Sequence, residues 1–294
     1  AFGMKTITML TVREETGFSA PRPPLVWGVP LPQGVAREAE TLHLTDAAGR
    51  RTESEAAFLA RWPDGSGKWA LLAAPHFDIA PGATRTLRLA VGGPARGPGL
   101  VLRTTPAGVT VNTGALRFTL RRRGPLTGRI EARSGRAWRC LATGLESVMT
   151  VERDAARTDY FAGAAPRRLE IEVSGRLRAV VAVRGEHRSS DGRTFAPYVL
   201  RFEILAGRRD LRLTHSVIYD GDPERDFVRA SELRLRARVG KAALFAFGAD
   251  VGRETRFPRQ RAPVWTPDFR HAELYQDSVT HWRLRRWVDL NRRE

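Results

Sequence analysis

The chain has 294 residues, is 42% hydrophobic and carries a formal net charge of +17. That apolar content supports real cores, but no uninterrupted apolar run is longer than that of Trp69 to Ala74, which is far too short to cross a bilayer, so no membrane span is expected. The charge points to an anionic partner (nucleic acid, an anionic surface or an acidic polysaccharide), and a single cysteine, Cys140, excludes an internal disulfide.

The N-terminal run AFGMKTITML has no basic region followed by a long apolar stretch, so no signal peptide is expected in it. Residues 4–92 read as short strands broken by prolines, the pattern of a small barrel. Within them RWPDGSGKWALL (Arg61 to Leu72) sets turn formers between two tryptophans, which reads as a hairpin. The rings of Trp62 and Trp69 either cap a small core or, with Lys68 beside them, offer a stacking platform to a ligand. TRTLRLAV (Thr84 to Val91) alternates strictly, and the Gly/Pro-rich VGGPARGPG that follows reads as a linker.

Residues 100–255 carry longer alternating strands and read as an antiparallel β-sandwich. Hairpins are expected around Asn112-Thr113-Gly114, Ser174-Gly175 and Gly207. In LRLTHSVIY, His215 shares a strand face with Leu213 and Val217, which reads first as a hydrogen-bonded core histidine. The carboxylates Asp220, Asp222, Glu224 and Asp226 are spaced closely enough for Ca²⁺, but they lack the EF-hand order; a capped turn is the simpler reading, and no cofactor is expected. Arg234, Arg236 and Arg238 leave one sheet face at intervals of about 6.6–6.8 Å, a row able to bind carboxylates bidentately.

Of the 49 basic residues only Lys5, Lys68 and Lys241 are lysines, a skew that fits either GC-rich coding or an anion site. Because the arginines alternate along several strands instead of forming one stripe, nucleic acid is the less favoured partner. Residues 256–294 lose the alternation and form an irregular tail with Trp265, Trp282 and Trp287. There His271, Tyr275 and His281 crowd a base, an acid and aromatic rings together, and these three are the catalytic candidates.

WGVPLPQG (Trp27 to Gly34), RWPDGSGKWALL, LEIEVSGRLRAVVAVRGEH (Leu169 to His187) and LRLTHSVIYDGDPERDFV (Leu211 to Val228), in this order, resemble the exo-rhamnogalacturonan lyases and their bacterial relatives. The resemblance runs from Met4 to about Tyr275–Ser278. It implies an all-β arrangement, a RIFT-like barrel followed by a central β-sandwich, leading to a large (α/α) toroid that would lie in cis beyond this chain. It also implies an acidic polysaccharide substrate and a secreted or periplasmic setting. Because the family cleft is expected largely on the toroid, no catalytic residue carries over from the resemblance. Two functions follow as expectations: the β-domain portion of a lyase acting by β-elimination, or a non-catalytic carbohydrate-binding or scaffold module.

Overall fold

Alternating sequence becomes strand wherever one face of a segment has a core to cover. The computed structural model describes residues 5–14, 22–92, 99–237, 245–246 and 264–265. In chain order its strands are β1 (Lys5–Arg13), β2 (Leu25–Pro30), β3 (Leu42–Thr45), β4 (Arg51–Thr52), β5 (Glu55–Arg61), β6 (Gly67–Ala74), β7 (Thr84–Val91), β8 (Val101–Thr105), β9 (Gly108–Asn112) and β10 (Leu116–Arg121). They continue with β11 (Thr127–Ser134), β12 (Ala137–Arg153), β13 (Ala156–Phe161), β14 (Arg168–Ser174), β15 (Arg178–Arg188), β16 (Thr194–Leu205), β17 (Arg212–Val217), β18 (Asp226–Ala237), β19 (Phe245–Ala246) and β20 (Val264–Trp265). Among the described residues there is no α-helix, and each expected hairpin forms.

The described residues divide into two compact units, 5–11, 22–78, 86–92 and 99–237 in one, and 12–14, 79–85, 245–246 and 264–265 in the other. The sites below all lie in the first.

The N-terminal part is built from a sheet of order β1-β7-β3-β4 and another of order β2-β6-β5. Its core takes alternate residues: Ala70, Leu72 and Ala74 of β6, Leu87 and Leu89 of β7, and Leu42 and Leu44 of β3 are buried. The turn between β5 and β6 is closed by its own polar residues. Asp64 Oδ1 accepts from Ser66 N at 2.9 Å and from Ser66 Oγ at 2.5 Å, and Gly65 supplies the positive φ of +81°.

The central part is one eleven-stranded sheet, order β17-β16-β15-β13-β12-β11-β10-β9-β8, with β14 paired to β15 and β18 to β12. It doubles over on itself. Val111 and Phe118, from β9 and β10, share a core with Val181, Leu200 and Phe202, from β15 and β16, although these strands lie far apart in the sheet order. The Phe118 and Phe202 rings stand 6.2 Å apart across the gap. β12 slips register between Thr143 and Glu146. From the slip onward Leu145, Ser147, Met149 and Val151 alternate along the strand; Ser147, Met149 and Val151 are buried, and Leu145 packs on the main core.

The hairpin turn between β14 and β15 is clasped by β5. Glu55 accepts from Leu177 N at 2.8 Å and from Arg178 N at 2.6 Å. Arg208, in the turn between β16 and β17, donates from Nη1 to the carbonyl of Arg22 at 2.7 Å. These charge-assisted bonds hold the barrel and sandwich segments of this unit together.

Candidate functional site

The turn with two tryptophans separates them by role. Trp62 is half-buried; its Nε1 donates to Leu31 O at 3.0 Å, and Lys68 Nζ lies 4.6 Å from its ring centroid. Ring and amine are thereby committed to each other and to the chain. Trp69 is different. It stands on the outer face of β6, 42% exposed, opposite Pro30 of β2. The Nε1 edge of its indole lies against Gly28, where a Cβ would collide with it; only glycine leaves room there. The same face carries Val26, Leu71, Ala57 and Glu55, and Leu59, at the register shift of β5, is 60% exposed. The face runs into a cleft of about 790 Å³ lined by Glu38, Glu40, Glu55, Arg61, Leu71, Ala73 and the β14–β15 turn.

A second polar cluster sits inside the sandwich. Ser147 Oγ lies 2.8 Å from Nε2 of His187 on β15 and 3.3 Å from Nε2 of His215 on β17. His187 is fully buried, and its Nδ1 lies 2.8 Å from Ala196 O. Hydrogen-bond accounting fixes the protons. A carbonyl only accepts, so His187 carries its proton on Nδ1 and its Nε2 is an acceptor. Ser147 therefore donates to His187 and accepts from His215, which must carry its proton on Nε2. The free lone pair of His215 is on Nδ1. Burial pushes both imidazoles below the ordinary value, so both are neutral near pH 7. His215 is half-buried, at the side of the sandwich where β17 and β18 are the outer strands of the described sheet. Val217 of β17 and Leu233 of β18, which pairs with Ser147, are 42% and 40% exposed there.

Glu146, Arg167 and Tyr198 form a third buried group. Glu146 Oε1 accepts from Gly163 N at 2.6 Å, and burial pushes its carboxyl up. Arg167 Nη2 donates to Gly124 O, while its Nε and Nη1 and the Tyr198 hydroxyl are buried without a hydrogen bond among the described residues. Burial pushes the Tyr198 phenol up to about 12. The Tyr198 ring lies 4.7 Å from that of His187, so the two polar clusters adjoin.

The acidic run after β17 is occupied structurally. Asp220 Oδ1 accepts from Ala196 N at 2.8 Å, Asp222 Oδ1 accepts from Glu224 N at 2.9 Å, and Asp226 receives both Nε and Nη2 of Arg153 at 2.5 Å. Among the described residues no group of three or more histidine, cysteine or carboxylate side chains is placed to hold a metal ion. Arg234 pairs with Glu232 at 2.5 Å and lies 3.9 Å from Asp159; Arg236 is exposed on β18. Arg238, His271, Tyr275 and His281 lie outside the described residues, so the expected late cluster is not placed. Sequence reasoning did not find Ser147, His187 and Trp69's glycine seat as a set; the available signals were a serine inside an apolar row and a glycine opposite a tryptophan in neighbouring strands.

Fold and sites define a class: an all-β protein with a RIFT barrel followed by a central β-sandwich. Residues 15–88 match the PcRGLX-like N-terminal RIFT barrel domain and residues 100–245 the PcRGLX-like protein central beta sandwich domain. The chain belongs to this exo-rhamnogalacturonan lyase-like family. It is similar to the uncharacterized protein YetA of Bacillus subtilis (strain 168), 27% identical over 253 residues, covering 83% of this chain and 28% of that protein. Two solved structures also resemble it, a glycosyl hydrolase family 38 protein from Enterococcus faecalis and an alpha-mannosidase from Enterococcus faecalis V583. Each is 9% identical with a TM-score of 0.47, covering 71% of this chain and 31% and 29% of theirs. The chain thus spans under a third of the length of each of these relatives.

Proposed function

We propose that this chain is the β-domain portion of a polysaccharide lyase-like protein acting by β-elimination on an acidic polysaccharide such as rhamnogalacturonan. The observation that carries the reading is the ordered pair of PcRGLX-like domains. The surface chemistry agrees with it. On the sheet exterior single carboxylates are shared by two guanidinium groups: Glu172 by Arg184 and Arg201, Glu152 by Arg157 and Arg229, Glu131 by Arg117 and Arg129. Such ladders leave positive charge in excess, which draws in a polyanion.

In the reaction a base takes the C5 proton of a uronate, the electron pair forms the C4–C5 double bond, and the C4–O bond breaks with a proton passing to the leaving oxygen. A cation beside the carboxylate is needed to stabilise the intermediate charge. Among the described residues His215 best fits the base: it is neutral, half-exposed, and its tautomer is fixed by Ser147 with the Nδ1 lone pair free. The acid role falls to the His271, Tyr275 and His281 group. A second reading, a non-catalytic carbohydrate-binding module, is favoured by the Trp69 face.

The test uses a longer protein that continues past this chain, incubated with rhamnogalacturonan, pectate and ulvan while the ultraviolet absorbance of the unsaturated product is followed. Turnover on one of them is expected, with His215→Ala lowering kcat by roughly 10²–10⁴-fold. Turnover unchanged in that variant would remove His215 from the chemistry; absence of unsaturated product on all three would overturn the lyase reading.

A further inference from the structure

We infer that the outward face of strands β8 to β11 is the surface on which this chain holds an acidic polysaccharide, through the carboxylates of that polymer. The inference deepens the proposed function and rests on that reading for the class of ligand alone.

Register places the side chains. Val109, Val111, Phe118 and Leu120 are buried in the core. The residues that alternate with them, Thr110 and Asn112 on β9 and Arg117, Thr119 and Arg121 on β10, therefore face outward. Arg103 of β8 pairs with Thr110 and joins that face. Arg129, Glu131 and Arg133 of β11 alternate on it too, with Glu131 opposite Arg117. Five arginines thus share one carboxylate.

The opposite layer of the sandwich differs. On β14 to β16, Arg168, Arg178, Arg184 and Arg201 are each in an ion pair, served by Glu170, Glu172 and Glu203. On the β8–β11 face Glu131 is taken by Arg117 at 2.6 Å, with Arg129 at 3.7 Å. Arg103 and Arg121 are exposed, and their guanidinium groups are in no ion pair or hydrogen bond among the described residues. The excess of positive charge is local to this face, and it complements a polyanion.

The local structure presents these cations. β9 contributes only short polar side chains: Thr110 Oγ1 lies 3.0 Å from Thr119 Oγ1, and Asn112 Oδ1 accepts from Gly114 N at 2.8 Å. They form a low strip with Arg103 on one side. On the other side the arginines of β10 spread over β11 and β12. The Arg117 guanidinium lies 4.5 Å from the Trp138 ring centroid. That of Arg121 lies against Gly128, where a Cβ would stand 2.6 Å from Nη2. Since β8 and β10 are two strand spacings apart, about 9–10 Å, one extended polysaccharide chain along the strip meets cations on both sides. A guanidinium receives a carboxylate through two parallel N–H bonds, which an uncharged ester does not repay equally.

The experiment measures binding of polygalacturonate to the intact 294-residue chain by calorimetry, beside its fully methyl-esterified form, which keeps the sugar and removes the charge. The free acid is expected to bind, and the ester to bind about tenfold more weakly or less, the change that about 1.4 kcal/mol produces. Arg103→Gln with Arg121→Gln is expected to weaken the free acid by a similar factor. Arg168→Gln with Arg212→Gln removes the same charge from the opposite layer and is expected to change binding by less than about twofold. Because Arg103 and Arg121 have no side-chain partner among the described residues to lose, their double variant is expected to keep the thermal midpoint of the parent. The inference is overturned if polygalacturonate does not bind at millimolar concentration, if the two double variants weaken it equally, or if the ester binds as well as the acid. It is also overturned if a DNA duplex binds more tightly with the same dependence on Arg103 and Arg121, which would make this a nucleic-acid surface. None of these readouts involves turnover, so failure here and failure of the lyase reading are separable.

Discussion

Ser147 has one proton to give and stands between two imidazole nitrogens. That arithmetic sets the state of both histidines, and it makes the serine a positioning residue for His215. Ser147→Ala leaves His187 Nε2 buried without its donor, so unfolding free energy should fall by about 1–3 kcal/mol, read by urea denaturation. In an active longer protein the same change should also alter the pH profile of kcat, because His215 loses the bond that fixes its tautomer; a stability loss with an unchanged profile would confine Ser147 to a structural role. The sequence showed part of this. Period two placed His215 on the inward face of its strand, and the structure finds it half-buried and hydrogen-bonded. It did not show the partners, which stand 68 and 40 residues apart in pairs that meet only when the sheet doubles over. A hydrogen bond across a sandwich leaves no periodic trace in the chain.

Strands and hairpins were legible because their signals are local: alternation, and turn residues such as Asn112-Thr113-Gly114 at fixed offsets. How elements clasp one another was not, and Glu55 shows why. An acid inside a strand reads as a solvated outer residue, yet here it accepts two backbone N–H groups of the β14–β15 turn. A Cβ at Gly175 would collide with its Oε1, so the turn glycine and the acid form one joint. Glu55→Ala should cost about 1–3 kcal/mol and should selectively expose the amides of Leu177 and Arg178 to hydrogen exchange. Protection unchanged at those two amides would mean the clasp is dispensable. The outer ladders make a pH prediction at the same scale. Arg229 and Arg157 hold Glu152 well below its usual range, to about 2. A carboxylate depressed on folding stabilises the protein above its unfolded value, and that contribution is lost as pH falls. The thermal midpoint should therefore drop between about pH 4.5 and about pH 2, and Glu152→Gln should flatten part of that drop. An equally steep drop in the variant would assign acid sensitivity to other carboxylates.

For the whole molecule, the arginine ladders on the sandwich dominate the surface pattern: Arg184 and Arg201 share Glu172, and positive charge is left in excess. Binding to a soluble acidic polysaccharide should weaken steeply as salt rises, because screening acts on charge over about 8–10 Å. Binding that is unchanged by salt would contradict a contact led by the arginines. The central claim, that this family member serves an elimination reaction, is tested most directly by the mass of the products formed from rhamnogalacturonan by a longer protein containing this chain. Elimination predicts fragments whose new non-reducing end is unsaturated, lighter by one water than the corresponding hydrolysis products. Saturated fragments carrying the full water would show hydrolysis and contradict the account.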